Sequence, residues 1–178
     1  SILNSTLELD PLLAIIMKTS AEVMKAEVAS LLLIDSATKE LVFRVALGGK
    51  GSALEEKFRV KMGEGIAGSV AKTGKPLVVN DVRNDPRFAK RFDRSTGFIT
   101  KAILCVPLKA KNKIIGVLQA INPVGRKGFC SSDLDLFETF AHQAAVAIEN
   151  AKLHAEMVRQ ETAKQTLKIA HEIQQNFL

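Results

Sequence analysis

Residues 63–81 read GEGIAGSVAKTGKPLVVND, and their glycine spacing raises the first question about the fold. The spacing Gly-x-Gly-x-x-Gly is that of a dinucleotide-binding turn, which requires a buried strand before it and a second, parallel strand ending at an acidic residue. Here the preceding segment FRVKM (58–62) alternates charged and apolar residues, and LVVN (77–80) is too short to reach Asp85. The context argues against a nicotinamide cofactor and indicates a sharp turn followed by a short helix on a sheet. The three glycines are Gly63, Gly65 and Gly68.

The rest of the chain predicts an antiparallel sheet of about six strands. Its apolar or alternating segments have strand lengths, and the first two are joined by a connection too short for a parallel crossover. Before the first strand, residues 10–25 have helical spacing behind Asp10 and Pro11, although Ser5 with Glu8 offers a competing helix cap. The predicted strands are 28–35, 41–49, 58–62, 77–80, 99–110 and 111–122.

Length and composition set broad limits on the function. A chain of 178 residues, 47% hydrophobic, is expected to bury one core. It has no apolar run long enough to span a membrane and no secretory leader, so we expect a cytoplasmic protein without a membrane partner. Its two cysteines, Cys105 and Cys130, are expected to be free thiols.

The net charge of +6 is concentrated in the middle of the chain. Residues 82–127 hold 11 Lys and Arg against 2 Asp and Glu, whereas the flanking segments are balanced or acidic. Such a field could attract an anionic partner, but solvated loops are the simpler interpretation. Because the chain has no Trp or Tyr to stack on bases, nucleic acid is not an expected partner.

After Gly128 the chain predicts one long helix. Ser132 with Asp135 forms a capping-box pattern, and no Gly or Pro follows. A helix over 132–177 would be about 68 Å long, longer than a globular domain of this size is wide, so its second half must project. An apolar stripe on it predicts a parallel homodimer through the terminal helices. The predicted interface residues are Ala144, Ile148, Ala151, Ala155, Val158 and Ile169.

Beyond the glycine turn, a series of short motifs resembles the GAF domain family over residues 10–153. The resemblance implies an α+β fold with a six-stranded antiparallel sheet, terminal helices on one face and a ligand pocket on the other, plus a long C-terminal coiled-coil helix. It implies a non-catalytic sensory domain over 1–153 and a signalling helix over 154–178. The motifs are Gly74-Lys75-Pro76, Asn80-Asp81, Asp85-Pro86-Arg87-Phe88, STGFIT (95–100), LCVP (104–107), GVLQ (116–119) and Asn122.

The resemblance is closest to cyclic-nucleotide-binding members, but this chain departs from them. Leu47 replaces an acidic base contact, Ala89 replaces a stacking aromatic, and Pro123 replaces a lysine that would pair with Asp133. The ligand therefore remains open between a cyclic nucleotide, another small molecule and none. The ligand contacts that the resemblance implies are Ser30, Ile66, Ala67, Phe88, Thr96, Thr100 and Gln119.

We predict no catalytic residues, metal or certain cofactor in this chain. The three histidines lie on one helix at spacings of twelve and seventeen, which does not suit a metal site. Neither cysteine is followed by the histidine of a bilin-linking site. These histidines are His142, His154 and His171.

The last segment, KIAHEIQQNFL (168–178), is similar to the opening of the metal-dependent serine phosphatases of bacterial partner-switching pathways. It predicts a covalently linked effector domain, so that the native protein would be a serine/threonine phosphatase while this chain has no activity. The alternative is the phosphoacceptor box of sensor histidine kinases, which shares His171-Glu172-Ile173. A second function class, a ligand-free dimerisation spacer, also stays open.

Overall fold

The computed structural model describes residues 2–48 and 58–177, with side chains from Glu8 onward, and shows the predicted α+β fold. Five of the six strands have three or more residues, and two long helices lie at the ends of the chain. The elements are α1 (Ile2–Met24), β1 (Ala26–Ile34), β2 (Leu41–Leu47), β3 (Arg59–Val60), α2 (Gly65–Thr73), β4 (Leu77–Val79), a 3-10 turn (Val82–Asn84), α3 (Arg91–Thr96), β5 (Ile103–Ala110), β6 (Lys113–Pro123) and α4 (Ser131–Asn176).

The strands form one sheet in the order β3-β2-β1-β6-β5-β4, and every neighbouring pair is antiparallel. In the β1–β2 pair the register shifts between Leu31 and Leu32, whose partners are Val45 and Phe43. Arg44 is therefore the extra residue of a bulge, and residues after it face the side opposite to that expected from simple alternation.

Both faces of the sheet are covered, which explains the long apolar runs in β1, β5 and β6. On one face, α1 and α4 pack their buried residues Leu13, Met17 and Phe137 against Leu31 and the alternate residues of the central strands. On the other face, α2 packs through Ile66, Ala67, Val70 and Ala71 against a second cluster. The candidate site lies on this second face.

Three predicted element ends are wrong. Helix α1 begins at Ile2 and contains Pro11, so Asp10 does not cap it but pairs with Arg44 of β2. Helix α4 begins at Ser131, where the backbone N–H of Cys130 donates to Asp133 at 2.7 Å, instead of at a Ser132 cap. Strand β5 begins at Ile103, four residues later than the pattern indicated.

Helix α4 has 46 residues and is about 69 Å long. Every residue from Arg159 to Phe177 is exposed, which confirms that the second half extends beyond the domain. The predicted interface residues differ in exposure along the helix. Ala144 and Ile148 are buried in the domain's own core and cannot contact a second subunit, because the early turns of α4 cover the sheet. Ala151, Ala155 and Val158 are half-buried, and Ile169 is exposed.

Candidate ligand-binding site

The glycine turn closes on itself and positions α2. Gly63 and Gly65 have φ of +86° and +64°, which favours glycine at both positions. The N–H of Gly63 donates to the carbonyl of Gly68 at 2.8 Å, and the N–H of Gly68 donates to that of Glu64 at 2.9 Å. A Cβ on Gly68 would lie 2.4 Å from the carbonyl oxygen of Lys61. The triplet therefore serves a tight turn and a close backbone approach.

A cavity of about 100 Å³ lies between the sheet, the start of α2 and the connection that contains α3. All seven residues that the sequence predicted as ligand contacts line it. They come from β1 (Ser30), α2 (Ile66 and Ala67), the α2–α3 region (Phe88 and Thr96), the segment before β5 (Thr100) and β6 (Gln119). Sequence reasoning missed Phe43, Glu64, Phe92, Asp93 and Phe98, which also line it.

Phenylalanine rings form much of the cavity wall. The Phe92 ring meets Phe43 edge-on, with centroids 6.2 Å apart, and Phe58 in the same manner at 5.1 Å. The guanidinium carbon of Arg91 lies 4.5 Å from the Phe92 centroid, on a residue outside the lining set. Such edge-to-face packing holds the rings in fixed orientations.

Two of the predicted polar contacts are already used within the protein. The backbone N–H and the hydroxyl of Thr100 donate to the Asp93 carboxylate at 2.8 and 2.6 Å. The Thr96 hydroxyl donates to the carbonyl of Phe92 at 2.8 Å. These bonds shape the connection around α3, so neither threonine hydroxyl has its hydrogen free for a ligand.

Ser30 and Gln119 differ from the threonines. They are cross-strand neighbours on β1 and β6, 2% and 8% exposed, and both side chains line the cavity. Neither side chain has a hydrogen-bond partner among the described residues, and their polar atoms face the cavity and are not sealed in the core. A hydroxyl and a carboxamide are thus available side by side on the cavity floor.

The charged side chains that line the cavity, over residues 2–48 and 58–177, are the carboxylates of Glu64 and Asp93. Glu64 stands at the N-terminal end of α2, accepts a hydrogen bond from the N–H of Lys61 at 3.0 Å, and pairs with Arg91 at 2.7 Å. The Arg91 guanidinium also donates to the carbonyl of Arg59. Arg91 therefore belongs to an adjacent charged cleft, which also contains Arg59 and Lys61.

Buried Asn122 supports the segment that carries Thr100. Its side-chain oxygen accepts from the N–H of Lys101 at 2.7 Å and of Ala102 at 3.2 Å, and its nitrogen donates to the carbonyl of Ile99 at 2.8 Å and to Glu27 at 3.1 Å. These bonds replace strand pairing over residues 99–102, which explains the late start of β5. Asn122 itself has φ of +55°, a conformation that Asn tolerates better than most residues.

Asp133 has a cationic partner although Pro123 replaces the lysine of the cyclic-nucleotide pattern. Arg126, three residues further along, pairs with Asp133 and also donates to the carbonyl of Met24 at the end of α1 at 2.9 Å. Burial raises the pKa of the Asp133 carboxyl, but Arg126 and the N–H of Cys130 outweigh it and hold the pKa below its ordinary value. This ion pair joins the end of α1 to the start of α4.

Of the other two departures from the cyclic-nucleotide pattern, at Leu47 and Ala89, only the one at Ala89 lies in the cavity wall. Because of the bulge at Arg44, Leu47 packs on the helix side of the sheet, and Ala46 and Gly48 line the cavity. Ala89 does line the cavity, so the aromatic replaced there leaves space. Among the described residues no cluster of His, Cys, Asp or Glu could hold a metal ion, and no helix is long and apolar enough to cross a membrane.

Comparison with known proteins agrees with this architecture. The sequence model of the GAF domain matches residues 8–148. A Caenorhabditis elegans protein named "Probable 3',5'-cyclic phosphodiesterase pde-5" is 33% identical over 169 residues, covering 90% of this chain and 23% of that protein. A Drosophila melanogaster "Dual 3',5'-cyclic-AMP and -GMP phosphodiesterase 11" is 37% identical over 101 residues, covering 56% of this chain and 7% of that protein. The chain thus spans less than a quarter of either relative's length.

A solved GAF domain from a phosphoenolpyruvate-protein phosphotransferase of Coxiella burnetii superposes with a TM-score of 0.74 at 22% identity. The match covers 87% of this chain and 94% of that one, and it supports the fold alone. With the family match over residues 8–148, the six-stranded sheet and the cavity beneath α2, the chain belongs to the GAF domain family.

Proposed function

We propose that this domain is a regulatory module that binds a small molecule in the cavity beneath α2 and passes the binding signal along α4 to a linked effector. GAF domains typically serve as regulatory units of multidomain proteins, and this chain spans 23% of the first phosphodiesterase relative. The observation that carries the proposal is the cavity itself, which has aromatic walls and two polar side chains, Ser30 and Gln119, that face it without a partner among the described residues. A domain used merely as a spacer would gain stability by filling this space.

The names of the two phosphodiesterase relatives make cyclic nucleotides the first ligands to test. A thermal-shift screen of cyclic nucleotides and small metabolites should give a concentration-dependent rise in melting temperature for at least one compound. The matched control is Ser30→Leu, which places an apolar side chain in the cavity from the middle of β1. It should fold and respond to no compound; a screen without any response in the native protein would refute ligand sensing.

Dimerisation through the terminal helices is the second part of the proposal. The projecting part of α4 exposes large apolar side chains, among them Ile169 and Ile173 at 57% and 51%, and a lone helix in water does not favour this exposure. A second copy of α4 would cover them. The other exposed large apolar residues beyond residue 150, among those described, are Leu153, Met157, Leu167 and Phe177.

Sedimentation equilibrium of the full chain tests the dimer. Replacing Ile169 and Ile173 together with glutamate should weaken association at least tenfold, because like charges would meet in an apolar seam. Replacing the neighbouring exposed Gln174 and Gln175 with glutamate adds the same charge and should change the strength of association little. A monomeric native chain at high concentration would contradict this part.

A serine phosphatase is our proposed effector, on the similarity of residues 168–178 to the opening of that enzyme class. The phosphodiesterase relatives support cyclic phosphodiester hydrolysis as the second candidate. Assaying a protein that extends beyond residue 178 separates the two. Manganese-dependent release of phosphate from a phosphoserine peptide supports the phosphatase, whereas hydrolysis of a cyclic nucleotide supports the second candidate.

A further inference from the structure

We propose that the cavity takes a neutral, planar heteroaromatic ligand whose amide edge, an N–H beside a C=O, bonds to Gln119 and Ser30. This inference rests on the proposed function, because it assumes that the cavity binds a small molecule. It names the chemistry of that molecule from three properties of the cavity: its unpaired polar groups, its walls and its charge.

The unpaired polar groups require a ligand with both a donor and an acceptor. The Gln119 carboxamide presents N–H and C=O together, and it pairs best with a group that presents the same two functions in reverse. The Ser30 hydroxyl, directly across the strand pair, can donate or accept. A ligand that covers these groups must bond to them, because a covered and unbonded polar group is costly, and an amide edge supplies both bonds.

The walls require a flat, mostly apolar body. Phe43, Phe88, Phe92 and Phe98 line the cavity together with aliphatic side chains from β1, β6 and α2. The volume of about 100 Å³ is well above the minimum that a single water molecule needs, so the cavity has room for a small ligand. A fused two-ring heterocycle is the flat, mostly apolar body that we assign to it.

The charge of the lining requires a ligand without negative charge. Among the described lining residues the ionised groups are Glu64 and Asp93, and no Lys, Arg or His is present. The N-terminal end of α2 favours negative charge, but its first residue outside the helix is Glu64, whose carboxylate makes no hydrogen bond to the helix and pairs with Arg91 instead. Arg91, a cation of the adjacent cleft, is paired with that carboxylate. A phosphate in the cavity would therefore find no unpaired cation among the described lining residues.

Isothermal titration of the full chain with two matched pairs of probes tests the inference. Hypoxanthine and quinolin-2(1H)-one carry the amide edge, whereas purine and quinoline have the same rings without it. We expect at least one amide-bearing probe to bind at least tenfold more tightly than its partner. Inosine 3',5'-cyclic monophosphate, which adds a ribose and a cyclic phosphate to the hypoxanthine base, should bind at least tenfold more weakly than hypoxanthine.

Gln119→Met keeps the length of the side chain and removes the amide. It should weaken the binding of the amide-bearing probe at least tenfold and change the binding of the matched probe without the amide less than twofold. Gln160→Met, on the exposed part of α4, should change the binding of neither probe. Ser30→Ala is a smaller change and provides the same comparison if Gln119→Met fails to fold. It should weaken the binding of the amide-bearing probe at least threefold.

The results that overturn the inference differ from those that overturn the proposed function. If both members of each pair bind equally, if neither amide-bearing probe binds while another compound does, or if the cyclic monophosphate binds more tightly than hypoxanthine, the ligand class is wrong and ligand sensing stands. If no compound in the broad screen binds, ligand sensing itself is wrong.

Discussion

Replacing Gly68 with alanine tests the role of the glycine turn, because two physical effects predict opposite signs. Gly68 lies inside α2, where alanine is favoured over glycine by about 1 kcal/mol. However, the new Cβ would lie 2.4 Å from the Lys61 carbonyl oxygen and 3.1 Å from the Gly63 nitrogen. Ordinary carbon–oxygen contacts are about 3.3 Å, so the backbone must move by about 0.9 Å.

Forcing a methyl group into a packed site costs up to about 3 kcal/mol, and here the neighbour is backbone that cannot rotate away. The net effect of Gly68→Ala should therefore be a loss of about 2 kcal/mol in the free energy of unfolding, which lowers the melting temperature by about 4–8 °C. Denaturant titration and thermal melts measure it. Gly125→Ala is the control, since its Cβ meets nothing within 4 Å and its φ of +74° costs about 1 kcal/mol. A Gly68→Ala variant as stable as the native chain would refute the close-approach interpretation.

Three further predictions follow from buried or paired groups. Gln119→Met should change the stability of the ligand-free protein by less than about 1 kcal/mol in denaturant titration, because the amide faces the cavity and has no bond within the described protein to lose; a larger loss would mean that the amide is bonded within the protein. Asp133→Asn should cost about 1–2 kcal/mol at pH 6 through the lost cap and ion pair. Because the folded-state pKa of Asp133 is lowered, its contribution is present above the unfolded pKa and is lost as the pH falls through the folded one, so this difference should shrink between pH 6 and pH 3. Ellman's reagent should label one thiol per native chain, Cys130, and two after denaturation, because Cys105 is buried and burial raises its pKa; two labelled thiols in the native chain would contradict the buried position.

Much of the fold could be predicted because its signals are local. Strand periodicity gave the six strands, and the absence of Gly and Pro after Gly128 indicated α4 to within one residue at its start and end. The ends that were wrong depend on distant partners. Asp10 looks like a helix cap until Arg44 is known to lie beside it. Residues 99–102 look like a strand until Asn122 is seen to accept hydrogen bonds from the N–H groups of Lys101 and Ala102.

The cavity could be predicted in part, through the resemblance to a family. The resemblance indicated the seven lining residues, but not which of them have free hydrogen-bonding groups. That distinction depends on Asp93, which accepts both bonds from Thr100 and whose role no local pattern reveals. The position of Leu47 was misjudged because a bulge at Arg44 reverses the alternation of β2, and a one-residue shift moves a side chain to the other face.

The interface prediction failed at Ala144 and Ile148 for a related reason. A helical stripe gives the positions that need cover but does not say what covers them. In the first half of α4 the sheet covers the apolar stripe. From Arg159 onward no part of the described chain covers it.

The central claim is that the cavity beneath α2 is a binding site for a small molecule. Its most direct test is the melting temperature of the native chain and of Ser30→Leu, measured side by side across the same panel of cyclic nucleotides, nucleobases and small metabolites. At least one compound should raise the melting temperature of the native chain in a concentration-dependent manner and leave the melting temperature of Ser30→Leu unchanged. A panel that shifts neither protein, or a compound that shifts both equally, would contradict it.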